Sequence, residues 1–186
     1  MKHKLLILSA LGAAGLLTTA ARAENTITII GSVVGSSCET TLNSTGSASG
    51  TVALQPVHIN TLPAPNSTSG DRTFTISLNN CGQNNAPVVA KTYFYSPNAT
   101  NVTDGRLNKV SGSGSGWQYQ ILDGTGTKQI SVGSAASAVP NSSDAGVRIG
   151  DDGAGKLTYR VRYYRDGDTV EQGNISSHVA YVVYYE

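Results

Sequence analysis

The sequence is poor in charge, in histidine and in sulfur. Asp, Glu, Lys and Arg make up 13% of the chain, about half the share usual in soluble domains. With so few charges and a formal net charge of +1, nothing in it gives a long-range pull on nucleic acid or an anionic membrane. Beyond the first residues there are two histidines, His58 and His178, and the chain has two cysteines, Cys38 and Cys81. It has no Gly-x-Ser-x-Gly elbow, no metal-ligand cluster and no Walker loop, so no catalytic residue, metal or cofactor is expected. Gly112-Ser113-Gly114-Ser115-Gly116 lacks the Lys-Ser or Lys-Thr that would follow in a phosphate loop, and reads as a flexible loop. Asp151-Asp152-Gly153 and Asp166-Gly167-Asp168 lack the rest of a calcium loop and read as turns. The Asn-x-Ser/Thr sequons at Asn43, Asn66, Asn98, Asn101, Asn141 and Asn174 are what chance gives a chain so rich in Asn, Ser and Thr.

Long apolar runs are also scarce. The longest, Leu5 to Leu17, follows the basic start Met1-Lys2-His3-Lys4 and precedes Ala21-Arg22-Ala23. A basic start, a short apolar stretch and a small-x-small site make a secretory signal peptide, not a membrane span. Removing residues 1–23 leaves 186 − 23 = 163 residues, enough for one domain with a core. Lys2, Lys4 and Arg22 leave with the signal, so the mature balance is 10 − 12 = −2. In an exported chain two cysteines most simply form one disulfide, here Cys38–Cys81.

After residue 23 helical periodicity gives way to period-two alternation between turn clusters. Residues 26–34 read as an extended segment, Val33 to Leu42 surrounds the first cysteine, and strands are expected at Thr51–Leu54, at Arg72–Leu78 with Phe74, Ile76 and Leu78 on one face, and at Val88–Tyr95. A long polar connection, 98–116, leads to Trp117–Leu122, which turns at Asp123-Gly124-Thr125-Gly126 and returns over Thr127–Val132 as a hairpin. Mostly loop over 133–155 precedes a strand at Lys156–Arg165, with Leu157, Tyr159, Val161 and Tyr163 inward, and a last strand at Ile175–Tyr185. Many short strands at this spacing indicate a β-sandwich.

Four stretches go further. Ile27-Thr28-Ile29-Ile30-Gly31-Ser32-Val33-Val34 precedes Cys38, and Val52-x-Leu54, Gly70 and Phe74-x-Ile76-x-Leu78 precede Cys81. Gly116-Trp117-Gln118-Tyr119-Gln120-Ile121-Leu122-Asp123 is followed by Thr125-Gly126 and later by Leu157-Thr158-Tyr159-Arg160-Val161-Arg162-Tyr163. At the end Tyr185 is penultimate and Gly173 stands fourteenth from the last residue. In this order the sequence resembles the type 1 pilins of the chaperone–usher pathway over the whole mature chain.

That resemblance implies an all-β fold: an incomplete immunoglobulin-like sandwich lacking its C-terminal strand, with one disulfide. Its implied parts are a signal peptide at 1–23, a donor-strand extension at 24–34 and a pilin domain at 35–186. It implies a structural subunit of an extracellular fimbria on the bacterial surface, reached through the periplasm and supporting cell adhesion. A periplasmic chaperone first lends a strand to the open sandwich. A neighbouring subunit's arm replaces that strand at the outer-membrane usher, a mode of β-augmentation. Ile27, Ile29, Gly31 and Val33 fall on one face of the arm and would be the donor residues; the opposite register would present Thr28, Ile30, Ser32 and Val34, a weaker apolar face without glycine. Gly31 would sit where the groove is too shallow for a side chain. Gly173, Val179, Tyr181, Val183 and Tyr185 would form the acceptor groove and the chaperone-recognition face.

Other readings make different predictions. A carbohydrate-binding tip adhesin of this pathway joins a lectin domain to a pilin domain and is much longer. A short adaptor or ligand-binding tip subunit stays open beside the shaft subunit. A free-standing secreted immunoglobulin-like binding module predicts a stable monomer that needs no partner strand.

Overall fold

The structure, a computed structural model, describes residues 38–82, 89–101, 103–134 and 144–186. The expected signal peptide and the arm, with Ile27, Ile29, Gly31 and Val33, lie outside the described residues. The elements are β1 (Glu39–Leu42), a 3-10 turn (Ile59–Thr61), β2 (Thr68–Asn79), β3 (Val89–Tyr95), β4 (Thr100–Asn101), β5 (Arg106–Asn108), β6 (Trp117–Asp123), β7 (Val147–Arg148), β8 (Gly155–Arg165) and β9 (Ala180–Tyr185). Among the described residues, six strands form one sheet in the order β1-β2-β8-β6-β5-β4, and three form the other in the order β7-β3-β9. All the pairings between these strands are antiparallel.

Alternation in the sequence decides which side chains meet between the sheets. Phe74, Ile76 and Leu78 of β2, Ile121 of β6, and Leu157, Tyr159 and Val161 of β8 are buried from one sheet, Ala90 and Phe94 of β3 from the other. The two layers interlock through Phe94, whose ring stands edge-on to Tyr159 at 5.0 Å and to Phe74 at 6.1 Å. Such edge-to-face pairs stabilise beyond the apolar area they bury. The Cys38–Cys81 disulfide forms as expected, joining the residue before β1 to the loop after β2.

One buried polar cluster ties the layers together. The Asp144 carboxylate accepts from the Thr92 N–H at 2.8 Å, the Tyr159 hydroxyl at 2.7 Å and the Gly146 N–H at 3.0 Å. Its partners come from β3, from β8 and from the segment leading into β7, so its oxygens are hydrogen-bonded where they are buried. Burial pushes the Tyr159 hydroxyl up, and the Asp144 carboxylate beside it adds to the shift.

Several expected elements are corrected. Thr51–Leu54 forms no ladder with any described strand, although Val52 and Leu54 are half-buried against the core while Thr51 and Ala53 are exposed. The connection 98–116 contains β4 and β5. The return over Thr127–Val132 shrinks to a bridge, Leu122 with Gln129, and the bonds Asp123 N–H to the Lys128 carbonyl and Ile130 N–H to the Ile121 carbonyl. The chain then leaves β6, and Gly133 pairs in parallel with Tyr95. The last regular strand begins at Ala180 rather than Ile175, because residues 171–176 bond to Ser111 and Ser115 instead of to β3. Turn chemistry accounts for Asp152, whose carboxylate accepts from the Ala154 N–H. His58 caps the 3-10 turn, its Nδ1 accepting from the Asn60 N–H.

Candidate functional site

An apolar groove of about 1160 Å³ runs along the open side of the sandwich. One rim is the chain from Ala48 to Leu62, which leads out of β1; the other runs from Gln172 into β9 at Tyr181. The floor is core: Phe74, Phe94, Leu107, Ile121 and Val161, with Leu42 beside the first rim. β9 bonds to β3 on one side and is the outer strand of its sheet among the described residues. Among those residues no hydrogen bond engages the backbone of Gly50 to Val57. The groove is therefore an apolar trough flanked by backbone groups free to pair. That is the geometry of a sheet edge ready for one more strand.

Local sequence explains each wall. On β9 and the residue before it, Val179, Tyr181, Val183 and Tyr185 are half-buried and pack on the core, while Ala180 and Val182 face outward. Gly173, Val179 and Tyr181 of the expected acceptor face line the groove; Val183 and Tyr185 share their face but lie beyond it. Tyr185 instead reaches the disulfide, its hydroxyl accepting from the Cys38 N–H at 3.3 Å. The Tyr181 hydroxyl donates to the Ala48 carbonyl at 2.8 Å and so crosses from one rim to the other.

Sequence reasoning missed the aromatic end of the groove, where Trp117 and Tyr119 of β6 meet Tyr163 of β8. The Tyr119 and Tyr163 rings lie 5.7 Å apart. The Trp117 indole N–H donates to the Glu171 carbonyl at 2.8 Å, and the Tyr119 hydroxyl to the Ile175 carbonyl at 2.7 Å. The signal was present as aromatics on one face of each strand, Trp117 and Tyr119 two apart on β6, and Tyr159 and Tyr163 four apart on β8. It reads equally as ordinary core.

Burial, with Tyr163 close by, pushes the Tyr119 hydroxyl up to about 12. Burial also raises Tyr163 and Tyr185. An unfolded tyrosine ionises near pH ~10. A group raised on folding contributes stability in full below its unfolded value and loses it as pH climbs through the folded one. Thermal stability should therefore hold up to about pH 10 and fall between about pH 10 and 12. Tyr119→Phe should make that fall shallower. Melts across this range, with phenolate absorbance followed in parallel, check it; tyrosines that all ionise near pH ~10 before unfolding would contradict it.

Among the described residues no group of His, Cys, Asp and Glu could hold a metal ion, and no helix is long and apolar enough to cross a membrane.

Comparison with known proteins agrees with this geometry. By fold, the chain is similar to a subunit in the structure of a chaperone–usher pilus, with TM-score 0.57 and 19% identity over 90% of this chain and 99% of that one. It is similar to the P pilus rod subunit PapA, with TM-score 0.55 and 21% identity over 80% of this chain and 99% of that one. Both likenesses support the incomplete immunoglobulin-like sandwich. In sequence it is 36% identical to the F17 fimbrial protein of Escherichia coli over 97% of each chain. The profile of the family described as "Fimbrial protein" matches residues 27–186. Taken with that identity, a match running from the expected arm to the last residue establishes that this chain belongs to the fimbrial protein family.

Proposed function

We propose that the chain is a structural subunit of a bacterial surface fimbria that polymerises by donor-strand exchange. Residues 24–34 of one copy fill the groove of the next, after a periplasmic chaperone has held the groove and delivered the subunit to an outer-membrane usher. The resulting extracellular fibre supports cell adhesion. The observation that carries this reading is the groove itself, an apolar floor between two rims with unpaired backbone on one side and an outer strand on the other.

The arm is suited to that space. From Ile27 to Val33 an extended chain spans roughly 20 Å at ~3.3 Å per residue. Ile27, Ile29 and Val33 buried at ~1.5–3 kcal/mol each give roughly 5–9 kcal/mol before ordering costs. Main-chain bonds to the free Gly50–Val57 backbone set the register. The Tyr181 side chain spans the two rims to the Ala48 carbonyl, and Gly31 is the arm residue suited to a place where a side chain already takes up the space.

Gly31→Arg in the mature chain is therefore expected to abolish fibre growth while leaving the domain folded. Light scattering of oxidised wild-type and variant chains after release from the chaperone checks this. Fibres of wild-type length from the variant would contradict the role given to the arm.

A further inference from the structure

The Ser–Gly run contradicts the expectation of a flexible loop, because it is bonded along its length to the back of one groove rim. The Ser176 N–H donates to the Ser111 carbonyl at 2.9 Å, the Gly114 N–H to the Asn174 carbonyl at 3.2 Å, and the Glu171 N–H to the Ser115 carbonyl at 3.1 Å. Serine hydroxyls add Ser111 to Ser176 at 2.6 Å and Ser115 to the Glu171 carboxylate at 2.9 Å. Strict alternation assigns the work: Ser111 and Ser115 supply hydroxyls, and the glycines between them allow close approach. A Cβ on Gly112 would stand 2.0 Å from the Asn174 carbonyl oxygen and 2.9 Å from the Ile175 Cα. The approach is mutual, since a Cβ on Gly173 would meet the Ser113 hydroxyl at 2.3 Å and the Gly114 nitrogen at 2.5 Å. Gly173, Asn174, Ile175 and Ser176 line the groove on their other side, whereas residues 111–116 do not line it.

We propose that Ser111–Gly116 is a strap that fixes the 171–177 rim, with Gly112 as a positioning residue for uptake of a neighbouring copy's arm. The proposal rests on the donor-strand reading and says which residues set the groove's aromatic end. A side chain at 112 must move Asn174 by more than an ångström to reach ordinary contact, which begins at 3.4 Å. The movement either drives the rim into the groove or parts it from the strap. In both cases the backbone offered to the incoming strand changes, while the floor of Phe74, Phe94 and Ile121 is untouched.

The test uses the mature oxidised chain carrying Gly31→Arg, so that its own arm does not compete, as the background of every variant, with a fluorescent peptide covering Asn25 to Gly35. Gly46→Ala serves as the control, because Gly46 also has a positive φ, +78° against +107° for Gly112, but has nothing within 4 Å of an added Cβ. Gly112→Ala is expected to slow peptide association about tenfold relative to Gly46→Ala, with the two melting alike in the absence of peptide. Equal association rates in the two variants would overturn the strap. If Gly112→Ala yields no folded protein, Ser111→Ala/Ser115→Ala decides. It should release bound peptide at least threefold faster and speed hydrogen exchange at the Ser176 and Glu171 amides, and values equal to the parent's for both would overturn the proposal. Failure of the Gly31→Arg parent to take up any peptide would instead remove the donor-strand reading, a separate outcome visible before any further variant is compared.

Discussion

Replacing both cysteines with serine should cost this domain about 4 kcal/mol and lower its melting temperature by roughly 8–16 °C. The disulfide closes a loop whose ends are 43 residues apart, and a loop of that length loses about this much freedom in the unfolded chain. The location adds a local consequence. Cys38 immediately precedes β1, its N–H donates to the Tyr185 hydroxyl on β9, and β1 leads into the unpaired rim of the groove. Without the bond, β1 keeps its short ladder with β2, the buried Leu42 and a few hydrogen bonds but loses its covalent tie, so the groove should loosen at its first rim before the core melts. Urea titration of the Cys38→Ser/Cys81→Ser chain against oxidised wild type checks the size of the effect, and hydrogen exchange across 39–57 checks its location. A loss below about 1 kcal/mol would show that the two sheets hold the rims without help.

Phe94→Ala should be comparably damaging, at about 3–5 kcal/mol. Phe94 is 1% exposed, sits edge-on to Tyr159 and Phe74, and contacts Tyr181 across a centroid distance of 6.4 Å. It is both the contact that locks the layers and part of the groove floor, so truncation opens a cavity beneath the space meant for a strand. Phe94→Leu keeps most of the volume and should cost less than about half as much. The pair of urea midpoints measures both, and similar losses for Ala and Leu would mean that ring geometry, not filled volume, dominates there.

Much of the sandwich could be read from alternation. Phe74, Ile76 and Leu78, and likewise Leu157, Tyr159 and Val161, are buried as their period-two spacing requires. Alternation reports which side chains face the core; it does not report whether the backbone has a neighbour. Thr51–Leu54 shows the difference, since its side chains alternate as in a strand and its backbone goes unpaired. The same limit applies at the other rim. The common face of Val179, Tyr181, Val183 and Tyr185 was legible, but not that the groove ends at Tyr181 while Tyr185 turns to the disulfide. β4 and β5 are too short and polar to show a period. The Ser–Gly run misled for a physical reason: composition registers glycine as freedom, whereas here its missing Cβ permits the tight approach to Asn174.

The central claim is that the groove is an unfinished sheet that a second copy's arm completes. Its most direct test is the melting temperature of the oxidised mature Gly31→Arg chain, whose own arm is disabled, with and without a peptide covering Asn25 to Gly35. The account predicts a rise of about 10 °C or more with the native peptide, from several kcal/mol of binding to the folded state alone, and no rise with the same peptide carrying Gly31→Arg. A chain that is already stable and ignores both peptides would contradict it, and would mark the domain as a complete, free-standing module.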